Sequence, residues 1–440
     1  MLTTEQMLST YQPIAGDYRL QVGFEYEVQC FRRSESLRPL RYQELLELLE
    51  TIAVWCDGTL APGDPVSKLP LAKGALISLE PGGQLEYSSA PVERFADAIA
   101  QHAFFVEILE RLERECDVHV FFGGLNPVHR VSEIGLVLAT GRYRIMDEYF
   151  PRVGTMGRRM MRQSCSVQVT FDYQDPGLGV ELLRTAFLLS PFAAALFSNA
   201  PFVDGQRSAF LSHRVPIWRN TDPSRTGLPP GFCDADYDFS DYLRFVLDAP
   251  MFFVNTESGL VDADGLTFEQ FNRQGYRGRA ATLEDFELHN STIFTDARLK
   301  RTVEVRSVDG QDPALVPAVL AFLSGLLLCQ AARRETLSTL STIDCAEYEA
   351  FPERFGRRGM ETEINGRNCR ELLLELIDRA ANGLYSCFAD GDLAAQYLKR
   401  VRELCERGQT PANVVLDRFG DANGWLRAGR TFREWAPASS

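Results

Sequence analysis

Glutamates stand two or six residues apart in strand-like stretches of this chain. They are Glu25, Glu27, Glu80, Glu86 and Glu304. Side chains at positions i and i+2 of a strand point to the same face, so Glu25 and Glu27 would stand side by side. Two bare carboxylates about 4 Å apart repel by roughly 4 kcal/mol at an effective dielectric constant near 20. A group of such oxygen ligands suits Mg²⁺ or Mn²⁺, and Mg²⁺ usually brings a nucleotide phosphate.

A solvated strand face is the ordinary alternative for each pair taken alone, because half-exposed strands carry polar residues at alternate positions. The presence of several such segments in one chain favours a metal site instead. Glu80 and Glu86 flank a Pro-Gly-Gly turn, and Glu304 is followed two residues later by Arg306 on the same strand face. The sequence therefore predicts one polar site to which several strands contribute.

Arginines gather where a phosphate and a substrate carboxylate would need them. The groups are Arg142 and Arg144; Arg158, Arg159 and Arg162; Arg214 and Arg225; and Arg298, Arg301 and Arg306, with Lys300 among them. Guanidinium groups bind carboxylate and phosphate through two parallel hydrogen bonds, which lysine cannot form. Most surface arginines are solvated or salt-bridged, so Arg306 stands out because it shares a strand face with Glu304.

The net charge, the apolar runs and the cysteines limit which partners and which cellular compartment we expect for this protein. The chain has 440 residues, a formal net charge of −14 and a pI near 5.0, which argue against nucleic acid or an anionic membrane as partner. The longest apolar run, residues 314–329, is too short for the roughly 20 residues of a membrane-spanning helix. The N-terminus lacks the pattern of a secretory signal, and the ten cysteines are scattered. We therefore expect a cytoplasmic protein with reduced thiols.

Hydrophobic periodicity predicts the elements that position these residues. After a short helix and a loop in residues 1–20, we expect strands at 20–31, 74–88, 118–123 and 164–173, and helices at 91–116, 178–198 and 312–334. Strands and helices do not alternate as βαβ units, which favours an α+β fold with an antiparallel sheet and flanking helices. We expect a single domain over residues 1–440, with a helical C-terminal part at about 370–440.

A nucleotide would have to be held without a dedicated loop, because the chain has neither a P-loop nor a G-x-G-x-x-G motif. Residues 205–232 contain several prolines and arginines and little periodicity. The sequence predicts a long loop there, and loops of this length are uncommon unless they are functional. We expect this loop to close over a bound substrate.

Taken together, the segments resemble glutamate–cysteine ligases (γ-glutamylcysteine synthetases) of the plant and proteobacterial type, in the glutamine-synthetase-like superfamily. The resemblance spans nearly the whole chain, in order. The matching segments are Val22-Gly23-Phe24-Glu25-Tyr26-Glu27, Ser78-Leu79-Glu80-Pro81-Gly82-Gly83-Gln84-Leu85-Glu86, Gly141-Arg142-Tyr143-Arg144-Ile145-Met146, Cys165-Ser166-Val167-Gln168-Val169, Thr221-Asp222-Pro223-Ser224-Arg225-Thr226-Gly227, Arg298-Leu299-Lys300, Val303-Glu304-Val305-Arg306 and Gly408-Gln409-Thr410-Pro411-Ala412.

The resemblance implies ATP-dependent ligation of the γ-carboxylate of glutamate to the amine of cysteine, through a γ-glutamyl phosphate. It implies a curved antiparallel sheet that forms an active-site bowl. It also implies roles for individual residues: metal ligands Glu25, Glu27, Glu80, Glu86 and Glu304 for Mg²⁺ or Mn²⁺; catalytic residues Glu304 and Arg306, the latter facing the transferred phosphoryl group; Gln168 near a metal; and Arg142 and Arg214 on the glutamate substrate. Phosphoryl transfer depends on positioning and charge neutralisation, which such a site supplies.

The chain departs from the family where the amine would bind. Phe252 stands where the plant enzymes usually carry Tyr, at a position that the resemblance places near the cysteine pocket. Residues 306–310 replace the usual Arg-Gly-Ala-Asp-Gly. A carboxylate–amine ligase with a different amine, a phosphotransferase of the guanidino-kinase type and a non-catalytic nucleotide- or metal-binding protein are the alternatives. We expect small-molecule substrates and a monomer or homodimer.

Overall fold

The computed structural model describes residues 1–13, 21–257 and 259–432. Its strands are β1 (Val22–Arg32), β2 (Arg38–Pro39), β3 (Lys68–Pro70), β4 (Leu76–Leu79), β5 (Leu85–Ser88), β6 (Val118–Phe121), β7 (Ser166–Asp172), β8 (Phe202–Val203), β9 (Gln206–Arg207), β10 (Thr226–Gly227), β11 (Phe253–Thr256), β12 (Gly259–Asp262), β13 (Phe294–Thr295), β14 (Ala297–Leu299), β15 (Thr302–Asp309), β16 (Glu363–Ile364) and β17 (Arg367–Asn368).

The helices are α1 (Thr4–Ser9), α2 (Tyr42–Trp55), α3 (Phe95–Glu115), α4 (Val131–Ile134), α5 (Gly141–Val153), α6 (Gly157–Gln163), α7 (Pro176–Leu196), α8 (Arg214–Arg219), α9 (Phe239–Asp248), α10 (Phe268–Gln274), α11 (Leu283–Asn290), α12 (Val316–Leu327), α13 (Gln330–Leu340), α14 (Cys345–Arg358), α15 (Cys369–Cys387), α16 (Gly391–Glu406), α17 (Pro411–Phe419) and α18 (Ala422–Ala428). The predicted N-terminal helix is present, whereas most of the loop expected after it, and the last residues of the helical C-terminal part, lie outside the described residues.

A large antiparallel sheet carries the predicted polar site. Its strand order is β14-β15-β7-β1-β5-β4-β3, and the far half of β1 also pairs with β2 and β6. Residues of β1 alternate between the two faces: Phe24, Tyr26 and Val28 are buried in the core, whereas Glu25 and Glu27 are partly accessible on the opposite face. The alternation in the sequence therefore separates a core face from a polar face, as predicted. The α+β fold with an antiparallel sheet is confirmed.

Strand register brings the predicted site residues from separate segments onto that polar face. Glu27 lies opposite Glu86 in the β1–β5 pair, and Glu25 lies opposite Gln168 in the β1–β7 pair. Glu304 lies opposite Thr170 in the β7–β15 pair. Residues directly opposite each other in antiparallel strands have side chains on the same face. The sheet thus collects carboxylates that are far apart in the chain.

The Pro-Gly-Gly turn between β4 and β5 places Glu80 at the same edge. The turn is closed by a hydrogen bond from the Gly83 amide to the Glu80 carbonyl, 2.8 Å long. Gly83 has a φ of 85°, in the left-handed region that glycine tolerates at little cost. At Gly82 a Cβ atom would collide with the backbone of Arg162. Both glycines are therefore required by the geometry of the turn.

Apolar helices cover the other face of the sheet. Helix α7 packs against β15, and α12 packs against α15 and α16. By length and composition α7 could cross a membrane, but 78% of its apolar window is buried inside the protein, as in a core helix. The expected helix at 312–334 is two helices, α12 and α13, which meet at an angle of 86°.

Two further expectations were wrong. Residues 205–232 are not a loop without secondary structure, because they contain β9, α8 and β10. Arg214 and Arg225 of this segment are buried, and they donate hydrogen bonds to the carbonyls of Arg306 and Pro250. The segment is therefore packed into the fold at these two residues. The thiols of Cys233 and Cys345 are not free, since they form a disulfide across 112 residues of sequence. No sequence motif predicts a disulfide between cysteines so far apart in the chain.

Candidate active site

A polar cavity of about 280 Å³ lies on the carboxylate-bearing face of the sheet. We call this cavity the bowl. Four of the five predicted glutamates line it together with Gln168. Its charged and amide-bearing walls are Glu25, Glu27, Glu80, Glu86, Gln84, Gln168, Arg142, Arg214, Arg298, Lys300 and Arg306. The structure thus brings carboxylates and guanidinium groups from distant segments to one cavity, as the sequence predicted.

The glutamates of the bowl hold their protons more tightly than ordinary carboxylic acids. Burial raises the pKa of Glu25 to about 8, and the charges of Glu86 and Glu304 add to the effect. Burial likewise raises the pKa of Glu80 to about 8, helped by Glu27 and Glu25. The pKa of Glu86 is raised well above its usual range by burial and by Glu80 and Glu27. These carboxylates therefore repel one another enough to favour either protons or cations between them.

Serine hydroxyls orient two of these carboxylates. The Ser166 hydroxyl donates to Oε2 of Glu27 at 2.9 Å, and the Ser78 and Ser88 hydroxyls donate to Oε1 of Glu86 at 3.2 and 3.1 Å. Burial still raises the pKa of Glu27, although Arg214 and Ser166 oppose it. The serines were not among the predicted site residues. Ser166 was detectable in principle, because it shares the strand face of Gln168 at period two.

Glu304 differs from the other four glutamates because it forms ion pairs with two arginines. Its Oε2 accepts from Nε of Arg298 at 2.8 Å and its Oε1 from Nη1 of Arg306 at 3.0 Å. The carboxylate is 3% exposed and is not part of the bowl wall, which the two arginines form instead. Burial alone would raise its pKa, but the two guanidinium groups hold it well below its usual range. Glu304 thus acts as an anchor for arginines in this structure, which differs from the expected place among the metal ligands.

Arg214 is fixed beneath the bowl by the bulged end of β15. Its guanidinium donates to the carbonyls of Ser307 at 3.0 Å and Arg306 at 2.9 Å, and it lies 4.0 Å from a carboxylate oxygen of Asp309. Asp309 also accepts from the Asn199 amide and the Ser212 hydroxyl, and burial raises its pKa to about 6. Arg214 is therefore rigidly positioned.

Several buried polar atoms of the bowl have no hydrogen-bond partner within the described residues. They are Nε of Arg142, Nε of Arg214, Nε of Arg306 and Oε1 of Gln168. Buried polar groups are nearly always hydrogen-bonded in folded proteins. The bowl therefore offers both donors and an acceptor for a polar ligand.

Comparison with known proteins identifies the family. The model of glutamate–cysteine ligase family 2 matches residues 21–433. The chain belongs to the glutamate–cysteine ligase family. It is 33% identical over 403 residues to the chloroplastic glutamate–cysteine ligase of Medicago truncatula, covering 91% of this chain and 78% of that protein. The enzyme of Arabidopsis thaliana is 32% identical over 405 residues, covering 91% of this chain and 76% of that protein.

One solved structure has a similar fold. It is the glutamate–cysteine ligase of Francisella tularensis in complex with AMP, with a TM-score of 0.56 and 13% sequence identity, covering 97% of this chain and 91% of that one. The family match confirms the prediction of a ligase, and the structural similarity confirms the predicted fold. The expectation of a cytoplasmic protein was wrong, because the similar plant proteins are named as chloroplastic enzymes.

The donor set of the bowl suits a hard divalent cation. Carboxylates and a glutamine carbonyl are the oxygen ligands that Mg²⁺ and Mn²⁺ prefer. Within the described residues no three His, Cys, Asp or Glu side chains form a ready-made metal cluster. Mg²⁺ does not require one, because it usually keeps several waters and binds one or two carboxylates plus substrate phosphates. Glutamates spread around a bowl therefore fit this ion.

Phe252 is not brought to the bowl. Its ring is 1% exposed and packs at 4.7 Å from the ring of Tyr149 and 5.4 Å from that of Phe150. The guanidinium carbon of Arg225 lies 3.9 Å from its ring centre. Phe294, which does line the bowl, stands beside Phe252 at 6.3 Å. The structure thus gives Phe252 a place in an aromatic cluster behind the wall.

Proposed function

We propose that this ligase joins the γ-carboxylate of L-glutamate to the amine of L-cysteine inside the bowl, with ATP as the source of energy. An oxygen of the γ-carboxylate attacks the γ-phosphorus of ATP, and ADP leaves. The amine then attacks the γ-carbonyl carbon of γ-glutamyl phosphate; the C–N bond forms and phosphate leaves. The observation that carries the proposal is the convergence of mutually repelling carboxylates and guanidinium groups on one cavity.

We assign the cation-binding role to Glu25, Glu27, Glu80 and Glu86, with the carbonyl oxygen of Gln168 beside them. These residues would hold Mg²⁺ or Mn²⁺, which would supply charge neutralisation for phosphoryl transfer from ATP. The raised pKa values of these glutamates support the assignment, since each carboxylate lacks a cation of its own in the protein alone.

The arginines serve the anionic parts of the substrates. Arg306 lines the bowl, is held by Glu304 and keeps a buried Nε without a partner in the described chain, so it can face the transferred phosphoryl group. Glu304 then contributes by positioning Arg306 and Arg298. Arg142 and Arg214 are proposed to bind glutamate, because both line the bowl and a guanidinium matches a carboxylate.

The direct test is mass spectrometry of the products formed from ATP, Mg²⁺, glutamate and cysteine. We expect γ-glutamylcysteine with ADP and phosphate in equal amounts. Glu27→Gln should abolish most of the product at nearly constant shape, whereas Glu50→Gln, on an exposed face of α2, serves as the matched control. A panel of amines in place of cysteine tests the acceptor. ADP formation without a joined product would refute the ligase reaction in favour of simple phosphoryl transfer.

A further inference from the structure

Lys300 is a cation of the bowl whose charge has no partner in the part of the chain that the structure describes. It lies at the turn between β14 and β15, lines the bowl and is exposed. Its ammonium group forms neither a hydrogen bond nor an ion pair within 4.0 Å there, whereas the neighbouring Arg298 and Arg306 are both bound to Glu304. An exposed lysine is usually solvated, so the position of Lys300 decides what it can bind.

The backbone at Lys300 is held by three hydrogen bonds. The Lys300 amide donates to the Thr302 carbonyl at 2.9 Å, and the Lys300 carbonyl accepts from the Tyr173 hydroxyl at 3.0 Å. The carbonyl of Leu299 accepts from Nδ2 of Asn290 at 2.9 Å. The base of the lysine side chain is therefore fixed, while its ammonium group is left available for a ligand.

Strand register arranges the charges of the bowl in rows across the sheet. Glu27 opposite Glu86 forms a first row, and Glu25 opposite Gln168 forms a second. Successive rows on one face are about 6.8 Å apart, because every second residue of a strand points to the same side. The carboxylates proposed to hold the cation therefore occupy one end of this face.

Cations occupy the other end, in the rows that follow. Arg298 lies opposite Glu304 in a third row, and Arg306, two residues beyond Glu304, points back toward the second. Lys300, two residues beyond Arg298, begins a fourth row beside Thr302. The order along the sheet is therefore carboxylates, then Arg306, then Arg298, then Lys300. Such a line of cations matches a chain of anionic groups better than a single carboxylate.

The cationic end carries more positive than negative charge. Arg298, Lys300 and Arg306 share the one carboxylate of Glu304. The charge of Arg298 and the desolvation of the ammonium group lower the pKa of Lys300, and Arg306 adds to the effect, although Glu304 and Glu25 oppose it. Like charges held close together are relieved by a bound anion.

We propose that Lys300 binds the β-phosphate of ATP and stabilises it as the leaving group of phosphoryl transfer. The inference rests on the function proposed above, in which the γ-phosphate lies at Arg306. The rest of the polyphosphate then runs along the rows toward Lys300, and lysine binds phosphate as a mobile point charge. An oxygen of the glutamate γ-carboxylate forms its bond to the γ-phosphorus, and the bond from that phosphorus to the bridging oxygen breaks. The electron pair stays on the β-phosphate of ADP, where the charge of Lys300 offsets it.

The test uses two nucleotides that differ by the β-phosphate. Binding of ADP and of AMP is measured by calorimetry with Mg²⁺ and without glutamate or cysteine. Lys300→Gln should weaken ADP binding at least tenfold, the smaller effect expected for a hydrogen bond to a charged group, and leave AMP binding within about twofold. Lys300→Arg keeps the charge and should recover most of the ADP affinity. Lys399→Gln, on an exposed face of α16, is the matched control and should change neither affinity.

Turnover provides the second readout. With saturating ATP, Lys300→Gln should lower kcat at least tenfold and leave KM for glutamate unchanged. An unchanged ADP affinity, or an equal loss of AMP and ADP affinity, would overturn the assignment to the β-phosphate. A raised KM for glutamate with unchanged ADP affinity would move Lys300 to the amino acid and overturn it as well. If wild type binds ADP but makes no γ-glutamylcysteine, the proposed ligase function fails, and the comparison of ADP with AMP still decides the role of Lys300.

Discussion

Removing one carboxylate of the bowl should stabilise the metal-free protein while impairing catalysis. Glu86 is the best position, because it is 9% exposed and lies directly opposite Glu27 in the β1–β5 register. The change Glu86→Gln keeps the shape and the acceptor oxygen that Ser78 and Ser88 donate to. It removes a charge that the protein alone does not neutralise. The two effects of the substitution therefore have opposite signs.

The expected size follows from the register. Side chains opposite each other in antiparallel strands have Cβ atoms about 5 Å apart, and two unit charges at that distance repel by roughly 3 kcal/mol at an effective dielectric constant near 20. This repulsion is the largest gain in stability that we expect. For 440 residues, an unfolding entropy of about 2.1 cal/mol/K per residue converts it into a rise of roughly 3 °C in Tm.

The sign of the pH dependence is fixed by the raised pKa of Glu86. A group with a raised folded-state pKa contributes stability that is complete below its unfolded pKa and is lost as the pH rises through its folded pKa. Neighbouring Glu25 and Glu80 have pKa values of about 8. The gain from Glu86→Gln should therefore be largest in alkaline solution and shrink as the pH falls toward the unfolded-state pKa of a glutamate, which is about 4.3.

The assay is thermal unfolding in EDTA at about pH 9 and about pH 5, for wild type, Glu86→Gln and the surface control Glu50→Gln. Turnover is measured in parallel with saturating Mg²⁺ and substrates, where Glu86→Gln should be at least tenfold slower. A lower Tm for Glu86→Gln at the alkaline pH, or unchanged turnover, would refute the reasoning that Glu86 is an unneutralised cation ligand.

Three other outcomes are expected. Arg306→Ala should lower kcat by about 10²–10³, as for other preorganised donors, with little change in ATP affinity by titration; an effect on affinity alone would indicate ground-state binding. Asp309→Asn should raise KM for glutamate more than it lowers kcat, because it loosens Arg214, and wild type should show the same rise as the pH falls below the Asp309 pKa of about 6; a flat KM in both experiments would contradict this. Chelation of Mg²⁺ by EDTA should abolish activity and lower Tm more at alkaline pH than in acid, and equal losses at both would argue against a carboxylate site.

Phe252 illustrates where the sequence was insufficient. The family comparison with a Tyr at this position pointed to the amine pocket, but the ring lies in an aromatic cluster behind Phe294. The assignment of Phe252 to the amine pocket therefore stays a prediction.

What the sequence by itself determined is local. Alternation at period two assigned Glu25, Glu27 and Gln168 to one strand face, because side chains on an extended backbone alternate whatever the strand pairs with. Tertiary structure alone decided which faces meet. It paired Glu304 with Arg298 and Arg306 and kept its carboxylate off the bowl wall. It also joined Cys233 to Cys345 and buried Arg214 and Arg225 of the segment 205–232 against other parts of the chain. These contacts join positions far apart in the chain, and they form only when strand order and core packing bring those positions together.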